Sequence, residues 1–457
     1  MKKFILLLIF CGLSIISIAQ FAVGHTTLTF NDPNRTGGFG SGGGPGRQIQ
    51  TEIYYPATTV GTNTPMVNGN FPIIVFGHGF VMSWDVYAPF YNHWAAKGYV
   101  VALPRTEGGF SPSHLDFAED LGIVAHKLQD LATLATSPFY QNLSSKIGIG
   151  GHSMGGGAAI LSTPYQITGI NCYLTFAAAE TNPSAIQAAT ISTAPSLFLS
   201  GSYDCVVPTA TQTQIYDSMA SSCKAQIEFT NAYHCQFNAF NLNCATGEAT
   251  CFTSGGIARD TQINRSLAYA DDFLAFHLKD QCTAWTSFKN KYDNNVGVLT
   301  SKKMNCTYSI PNAPTVSFNG TNLVANGAGF NLYLWKRNGT IIPSSGLNTF
   351  TPTLNGNYSV CAYTTLGCYL ESAPYLFNTL GVKEAKIKNN VRWDAQNKYL
   401  YINSEKPNTL KIVSLSGALI HESQNEQKIY LGALAKGMYI AELQEQNGMY
   451  RQLILIP

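Results

Sequence analysis

Ser153 stands at the centre of Gly151-His152-Ser153-Met154-Gly155, inside the longer run from Lys146 to Gly157. A serine in a G-x-S-x-G box is a candidate nucleophile for acyl transfer. Ile147 and Ile149 lead into the box as a short β-compatible run, and Gly156 to Leu161 follow as a small-residue stretch suited to a helix. Strand, tight turn and helix are the context that separates a nucleophile elbow from a chance match. Gly151 and Gly155 then have a steric reason to be there, because a Cβ at either position would collide with the neighbouring strand or helix.

A serine hydroxyl attacks poorly at neutral pH, so Ser153 needs a base to take its proton and an acid to orient that base. On such an elbow the acid and then the base follow the nucleophile in sequence. Ser196 to Ser200 reads as an apolar strand ending in Gly-Ser-Tyr-Asp-Cys-Val-Val-Pro, which places Asp204 in the loop at its C-terminal end. Gln226 to Phe229 runs into Thr-Asn-Ala-Tyr-His-Cys, which places His234 in the next such loop. Both open on the sheet edge where active sites form. His277, Asp271 and Asp272 lie in a helical pattern instead, and His152 is expected to flank the substrate pocket.

Attack on an ester carbonyl builds negative charge on its oxygen, which backbone N–H groups stabilise. Met154, next after the nucleophile, supplies one donor. Gly77-His78-Gly79-Phe80, after the strand Ile73 to Phe76, supplies the second through Phe80. No second ligand accompanies His78 at useful spacing, so neither metal nor other cofactor is expected.

These residues need a frame. From Gln48 to about His277, strand candidates at Thr51 to Tyr55, Ile73 to Phe76, Tyr99 to Leu103, Lys146 to Ile149, Tyr173 to Phe176, Ser196 to Ser200 and Gln226 to Phe229 alternate with helical patterns. That alternation predicts a mostly parallel sheet flanked by helices. Phe117, Leu121, Val124, Leu128 and Leu131 share one helical face, and Ser266 to Leu278 reads as a closing helix. The run Gly37 to Gly46 contains a G-x-G-x-x-G match, but no strand precedes it and Pro45 interrupts any helix after it. A surface loop is the better account.

At 457 residues, 45% apolar and only 12% charged, the chain is too long for one ordinary core and carries a surface rich in uncharged polar residues. Its net charge of +2 offers no footprint for nucleic acid. Lys2 and Lys3 before a mostly apolar run from Phe4 to Ile16, with Ser-Ile-Ala-Gln ending at Gln20, read as a secretory signal over residues 1–20. No later segment is long and apolar enough for a transmembrane helix, so none is expected in the mature protein. Ten cysteines remain in an oxidising compartment, and disulfides are expected. Cys205 with Cys235, Cys244 with Cys251, Cys361 with Cys368 and Cys282 with Cys306 are candidate pairs, although sequence alone does not decide connectivity.

After about Thr307 the texture changes to short β-rich runs with Asn-Gly turns at 319–320, 326–327, 338–339 and 355–356. Leu332 to Cys361 resembles the immunoglobulin-like modules of secreted bacterial proteins. Leu410 to Ile420 and Leu431 to Leu443 resemble the C-terminal sorting domain of type IX secretion substrates in Bacteroidetes, although a Tyr-Pro-Asn-Pro opening is missing. That resemblance implies export by the type IX machinery to the cell surface or medium. The expected organisation is a signal over 1–20, a catalytic domain over 21–307, an immunoglobulin-like module over 308–380 and a sorting domain over 385–457.

The Gly-His-Gly-Phe loop, the Gly-His-Ser-Met-Gly-Gly-Gly elbow, the Asp-Cys-Val-Val-Pro loop and His234 together resemble the α/β-hydrolases of the cutinase, poly(ethylene terephthalate) hydrolase, chlorophyllase and dienelactone-hydrolase-like branch. The fold class expected is therefore an α/β-hydrolase followed by two small all-β modules. The resemblance implies a secreted serine carboxylic ester hydrolase acting on small or polymeric esters through an acyl-enzyme at Ser153. Polyester hydrolases of this branch usually carry a tryptophan after the strand that follows the elbow, where this chain reads Ala177-Ala178-Ala179-Glu180. That departure puts a carboxylate near the pocket, leaving Phe80 and Trp84 as apolar contacts for the acyl chain. A thioesterase or peptidase on the same triad is the alternative, and a non-catalytic surface-binding protein is a third.

Overall fold

The computed structural model describes residues 20–165, 169–251, 254–378, 391–394, 396–403, 408–414, 418–445 and 448–456. Residues 1–19 of the expected signal over 1–20 and the expected start of the sorting region at 385 lie outside them. The alternating apolar runs form one sheet: β1 (Ala22–Asp32), β2 (Gly38–Phe39), β3 (Arg47–Ala57), β4 (Gly61–Thr62), β5 (Phe71–Gly77), β6 (Val100–Pro104), β7 (Leu143–His152), β8 (Ile170–Phe176), β9 (Ser196–Gly201), β10 (Lys224–Phe229) and β11 (Leu299–Asn305). The order is β11-β10-β9-β8-β7-β5-β6-β3-β1-β4, with β2 beside β3. Strands from β10 through β6 in that order are parallel, while β11 runs antiparallel to β10, β3 to β6 and β1 to β3, and the short β2 and β4 run parallel to β3 and β1.

Central strands are buried on both faces, which is why β5 and β6 read as near-continuous apolar runs. The long strands missed in the sequence, β1 and β11, are antiparallel outer ones. β1 mixes His25, Thr26 and Thr27 with its apolar residues, and β11 carries Lys302 and Lys303, so neither shows the unbroken apolar run of a buried strand.

Helices cover both faces: α1 (Ala88–Ala96), α2 (His114–Leu131), α3 (Met154–Leu161), α4 (Ala185–Ala189), α5 (Thr209–Ser218), α6 (Leu242–Glu248), α7 (Arg259–Lys279) and α8 (Cys282–Asp293). α2 starts where Ser113 accepts the Asp116 amide, and it buries Phe117, Leu121, Val124 and Leu128 as the periodicity requires. It joins α3 in one core with Ile73, Val75, Ile147 and Ile149. On the other face, α1, α7 and α8 pack over Ile74, Phe76, Leu174 and Leu197. α7 begins seven residues before the expected Ser266, because its polar first turns still bury Ile263 on the core side. The glycine run is a surface loop that lends β2 to the edge of β3.

Two compact units are present. The first gathers the described residues to Lys336 with Thr340–Phe350 and Ser359–Ala373; the second holds Arg337–Gly339, Thr351–Tyr358 and the described residues from Pro374. The C-terminal region is made of small strand-rich sheets. Thr315–Phe318, Leu323–Asn326 and Thr349–Phe350 form one of three strands. Further on, Val391–Asp394, Tyr399–Ile402 and Lys428–Tyr430 form another, and Asn408–Ser414, Leu419–Gln424, Gly437–Glu445 and Gly448–Ile456 a four-stranded sheet. Leu400, Leu410, Ile412 and Leu443 make the centre of that core.

The cysteines correct the sequence reading. Cys306 pairs with Cys223, not Cys282, because the antiparallel register of β10 with β11 sets Lys224 opposite Asn305 and so brings the flanking cysteines together. Cys282 pairs with Cys368, where a bridge between Gln281 and Tyr369 aligns the two segments. Cys361 sits opposite Glu371 in its ladder rather than beside Cys368, and it remains a buried thiol, as does Cys172.

Candidate active site

Ser153 joins β7 to α3 with φ 55° and ψ −120°, a strained conformation for a residue bearing a Cβ. The strain is imposed by close packing. A Cβ on Gly151 would lie 2.4 Å from the Gly155 carbonyl, and one on Gly155 would lie 2.2 Å from the Gly77 oxygen. Both obstacles are backbone, so only glycine fits. The Ser153 amide donates to Phe176 (2.9 Å), and its carbonyl accepts from Gly157 (3.1 Å) and Ala179 (3.0 Å), which hold the turn in place.

Asp204 and His234 are brought together from the loops after β9 and β10. Asp204 Oδ2 lies 2.7 Å from His234 Nδ1, and its Oδ1 accepts the Val207 amide at 2.7 Å. A carboxylate only accepts, so Nδ1 carries the proton and Nε2 of the neutral ring is left as the basic nitrogen. Ser153, Asp204 and His234 are 8%, 6% and 2% exposed, so their charges interact in a poorly hydrated setting.

The His234 loop is gripped on its backbone by side chains. Gln262 of α7 accepts the Tyr233 amide (2.9 Å) and donates to the Tyr233 carbonyl (2.6 Å). Glu248 of α6 accepts the Cys235 amide at 3.0 Å, while Arg259 donates to the Cys235 and Asn238 carbonyls. Burial raises the Glu248 pKa, partly offset by the Cys235 and His234 amides and by the His234 ring. None of these holding residues shows in the sequence, since Glu248, Arg259 and Gln262 stand in no motif and meet the loop only through the fold.

Two disulfides brace the same loops, though not as expected. Cys205 bonds Cys251 and Cys235 bonds Cys244, so the acid and base loops are each tied to the α6 segment that follows them rather than to one another. Asn243 of that segment donates to the Val81 carbonyl at 3.0 Å, which carries the brace across to the Phe80 loop.

Met154 opens α3, so its amide is among those a helix leaves without an internal acceptor. Phe80 is half exposed on a turn closed by the Met82 amide on the Gly79 carbonyl. His78 is buried, its ring nitrogens 2.9 Å from the Gly79 and Thr106 carbonyls, and burial lowers its pKa. Beside this loop lies a cavity of about 310 Å³ lined by Phe39, His78, Val81, Met82, Trp84 and Arg105. Trp84 leans on the rings of His25, Tyr54 and Tyr91.

The family model described as PET hydrolase-like matches residues 17–268, more than half of the chain. The chain belongs to the PET hydrolase-like family. This PET hydrolase-like chain is thus a secreted ester hydrolase of α/β-hydrolase type, and a second family model, the secretion system C-terminal sorting domain, matches residues 396–456. Secretion or display at the cell surface by the type IX route follows from that domain. No curated protein matches the chain. Among the described residues no helix is long and apolar enough to cross a membrane.

Two expected pocket residues are placed differently in this PET hydrolase-like site. His152 has no exposed surface, and its ring nitrogens face the Tyr87 hydroxyl (3.0 Å) and the His234 carbonyl (3.1 Å). Glu180 is half buried and turns Oε2 to the Ile186 amide (3.1 Å), capping the first turn of α4. The competing acidic residues are committed elsewhere: Asp271 to His93 and Lys97, Asp272 to Lys291. His277 lies among Phe273, Phe276, Trp285 and Tyr308.

Proposed function

We propose that the protein is a serine carboxylic ester hydrolase working through an acyl-enzyme at Ser153, with Asp204 and His234 as acid and base and the Phe80 and Met154 amides as oxyanion donors. The observation that carries this reading is the buried 2.7 Å contact of Asp204 with His234, in the loops that follow a serine held at positive φ. His234 Nε2 takes the Ser153 hydroxyl proton as Oγ bonds to the ester carbonyl carbon. The carbonyl oxygen gains negative charge, stabilised by the two amides. As the tetrahedral adduct collapses, the C–O bond to the alcohol breaks and His234 returns the proton to the leaving oxygen. Water, deprotonated by His234, then attacks the acyl-enzyme; the carboxylic acid departs and Ser153 regains its proton.

The substrate class is a small or polymeric carboxylic ester, taken in the cleft beside Phe80 and Trp84. The organisation we assign is a signal over 1–20, a catalytic domain over 21–307, an immunoglobulin-like module over 308–380 and a sorting domain over 385–457.

Ser153→Ala in the mature protein is expected to abolish p-nitrophenyl butyrate hydrolysis, and a fluorophosphonate probe to label wild type but not the variant. Substantial residual turnover by Ser153→Ala overturns the assignment. A panel of esters, thioesters and anilides separates an esterase from a thioesterase or peptidase.

A further inference from the structure

We infer that Tyr87 and His152 are positioning residues that couple the Phe80 loop to the His234 loop, so the two halves of the site are set by one hydrogen-bonded chain. This rests on the roles proposed above for Phe80 and His234. The Gly79 amide donates to the Tyr87 hydroxyl at 2.9 Å, the hydroxyl lies 3.0 Å from His152 Nδ1, and His152 Nε2 lies 3.1 Å from the His234 carbonyl oxygen.

Chemistry gives the chain one direction. The His234 carbonyl can only accept, so His152 Nε2 carries the proton. In the neutral ring Nδ1 is then an acceptor, the Tyr87 O–H donates to it, and the Tyr87 oxygen is free to accept from Gly79. The neutral form is secured by burial and by the adjoining His234, which hold the His152 pKa well below the usual histidine range. Met82 Sδ, 3.6 Å from the hydroxyl, is the weaker acceptor.

All four groups are closed to solvent in the same core. Tyr87 and His152 are fully buried, and Gly79 and His234 are buried as well, so a broken link leaves polar atoms that water cannot serve. Gly79 explains itself by the same packing: a Cβ there would lie 2.7 Å from Met82 Sδ and 3.3 Å from His152 Nδ1. The His152 ring, next to the nucleophile in the chain, also lies tilted at 44° against the His234 ring, with centroids 4.6 Å apart. The residue before Ser153 thus acts from beneath the site, through Tyr87 and His234.

The test compares Tyr87→Phe, His152→Leu and His152→Gln, with turnover of p-nitrophenyl butyrate expressed per active site titrated by a fluorophosphonate. His152→Leu is expected to lose about 10- to 100-fold in kcat with KM within about twofold, since small misplacements of reacting groups act on the chemical step. Glutamine places an N–H donor near Nε2 and is expected to recover most of the loss. Tyr87→Phe removes one oxygen without changing shape, and is expected to lose about tenfold in kcat. Its effect combined with His152→Leu should be less than additive, as for members of one network.

If the variants lower only the fraction of titratable sites while kcat per site is unchanged, the residues are merely structural and the inference fails. Additive effects of Tyr87→Phe and His152→Leu also overturn it. Failure of the underlying reading looks different: wild type itself would lack Ser153-dependent turnover.

Discussion

Asp204 and His234 are 30 residues apart in sequence, yet Asp204 Oδ2 sits 2.7 Å from His234 Nδ1 with both side chains buried. The contact forms because two adjacent parallel strands, β9 and β10, deliver consecutive loops to the same sheet edge. Its second oxygen is held by the Val207 amide, so the carboxylate cannot swing away when the ring turns.

Asp204→Asn follows directly. The amide keeps the shape but lets its NH₂ face Nδ1, which favours the wrong tautomer and removes the charge supporting the imidazolium. In serine hydrolases of other folds that exchange costs about 10⁴-fold in kcat, and a loss of roughly 10³ to 10⁴ is expected here with KM little changed. Steady-state kinetics with p-nitrophenyl butyrate check it; a loss of less than about tenfold would move the acid role away from Asp204.

The two disulfides on the α6 segment adjoin the acid and the base. Cys205–Cys251 spans 46 residues and Cys235–Cys244 nine, which on loop-closure grounds correspond to about 4 and about 3 kcal/mol respectively. Cys282–Cys368 spans 86 residues and does not touch these loops. Replacing Cys205 and Cys251 by serine should lower both Tm and kcat, whereas replacing Cys282 and Cys368 should lower Tm alone. Equal effects on kcat from the two pairs would show that the brace has no bearing on the Asp204 and His234 loops.

Acid stability is decided by buried histidines. Burial lowers the pKa of His78, His152 and His277, the last to about 3 with Lys146 adding to the effect. Unfolding exposes each to an ordinary pKa of about 6.5, so below that pH the unfolded state binds more protons. Their contribution is therefore complete above about pH 6.5 and is lost as pH falls toward the folded values, at up to about 1.4 kcal/mol per pH unit for each group. Urea midpoints between pH 7 and 4.5 should fall accordingly. His277 is caged by aromatic rings and its Nε2 has no partner among the described residues, so His277→Leu should flatten the slope by about one proton. An unchanged slope would mean that His277 charges without unfolding.

Much of this molecule is readable along the chain because its central elements obey local rules. Ile73 to Phe76 and Leu197 to Leu199 are short continuous apolar runs of the kind a buried parallel strand makes, and the loops they deliver hold Phe80 and Asp204. What eluded the sequence is long-range pairing. Nothing local says that Cys205 meets Cys251, that Gln262 grips the backbone of Tyr233, or that His152 is covered by Tyr87, since each partner is chosen by packing of distant segments. Glu180 illustrates the other failure. Its charge suggested a pocket residue, whereas the first turn of α4, five residues on, claims it as a cap.

The last prediction concerns an ion network that the sequence did not signal. Asp120 of α2 is fully buried and receives Arg47 of β3 through Nε (2.8 Å) and Nη2 (2.7 Å), with Arg35 at 2.7 Å; Arg47 also reaches Glu107 at 2.6 Å. The cluster pins the start of α2, whose Phe117 ring lies 4.8 Å from the His78 ring, without touching Ser153 or its partners. Asp120→Asn removes the fully buried carboxylate that holds Arg47, whose guanidinium keeps only Glu107 at 2.6 Å and Asp116 at 4.0 Å among its acidic partners, and breaking such a buried pair costs up to about 3–5 kcal/mol. A fall in Tm of roughly 10 °C is expected by calorimetry. Because the network acts on stability alone, kcat at 25 °C per titrated active site should stay within about twofold of wild type. A variant that kept its Tm but lost turnover would show instead that Asp120 communicates with the oxyanion loop through Phe117 and His78.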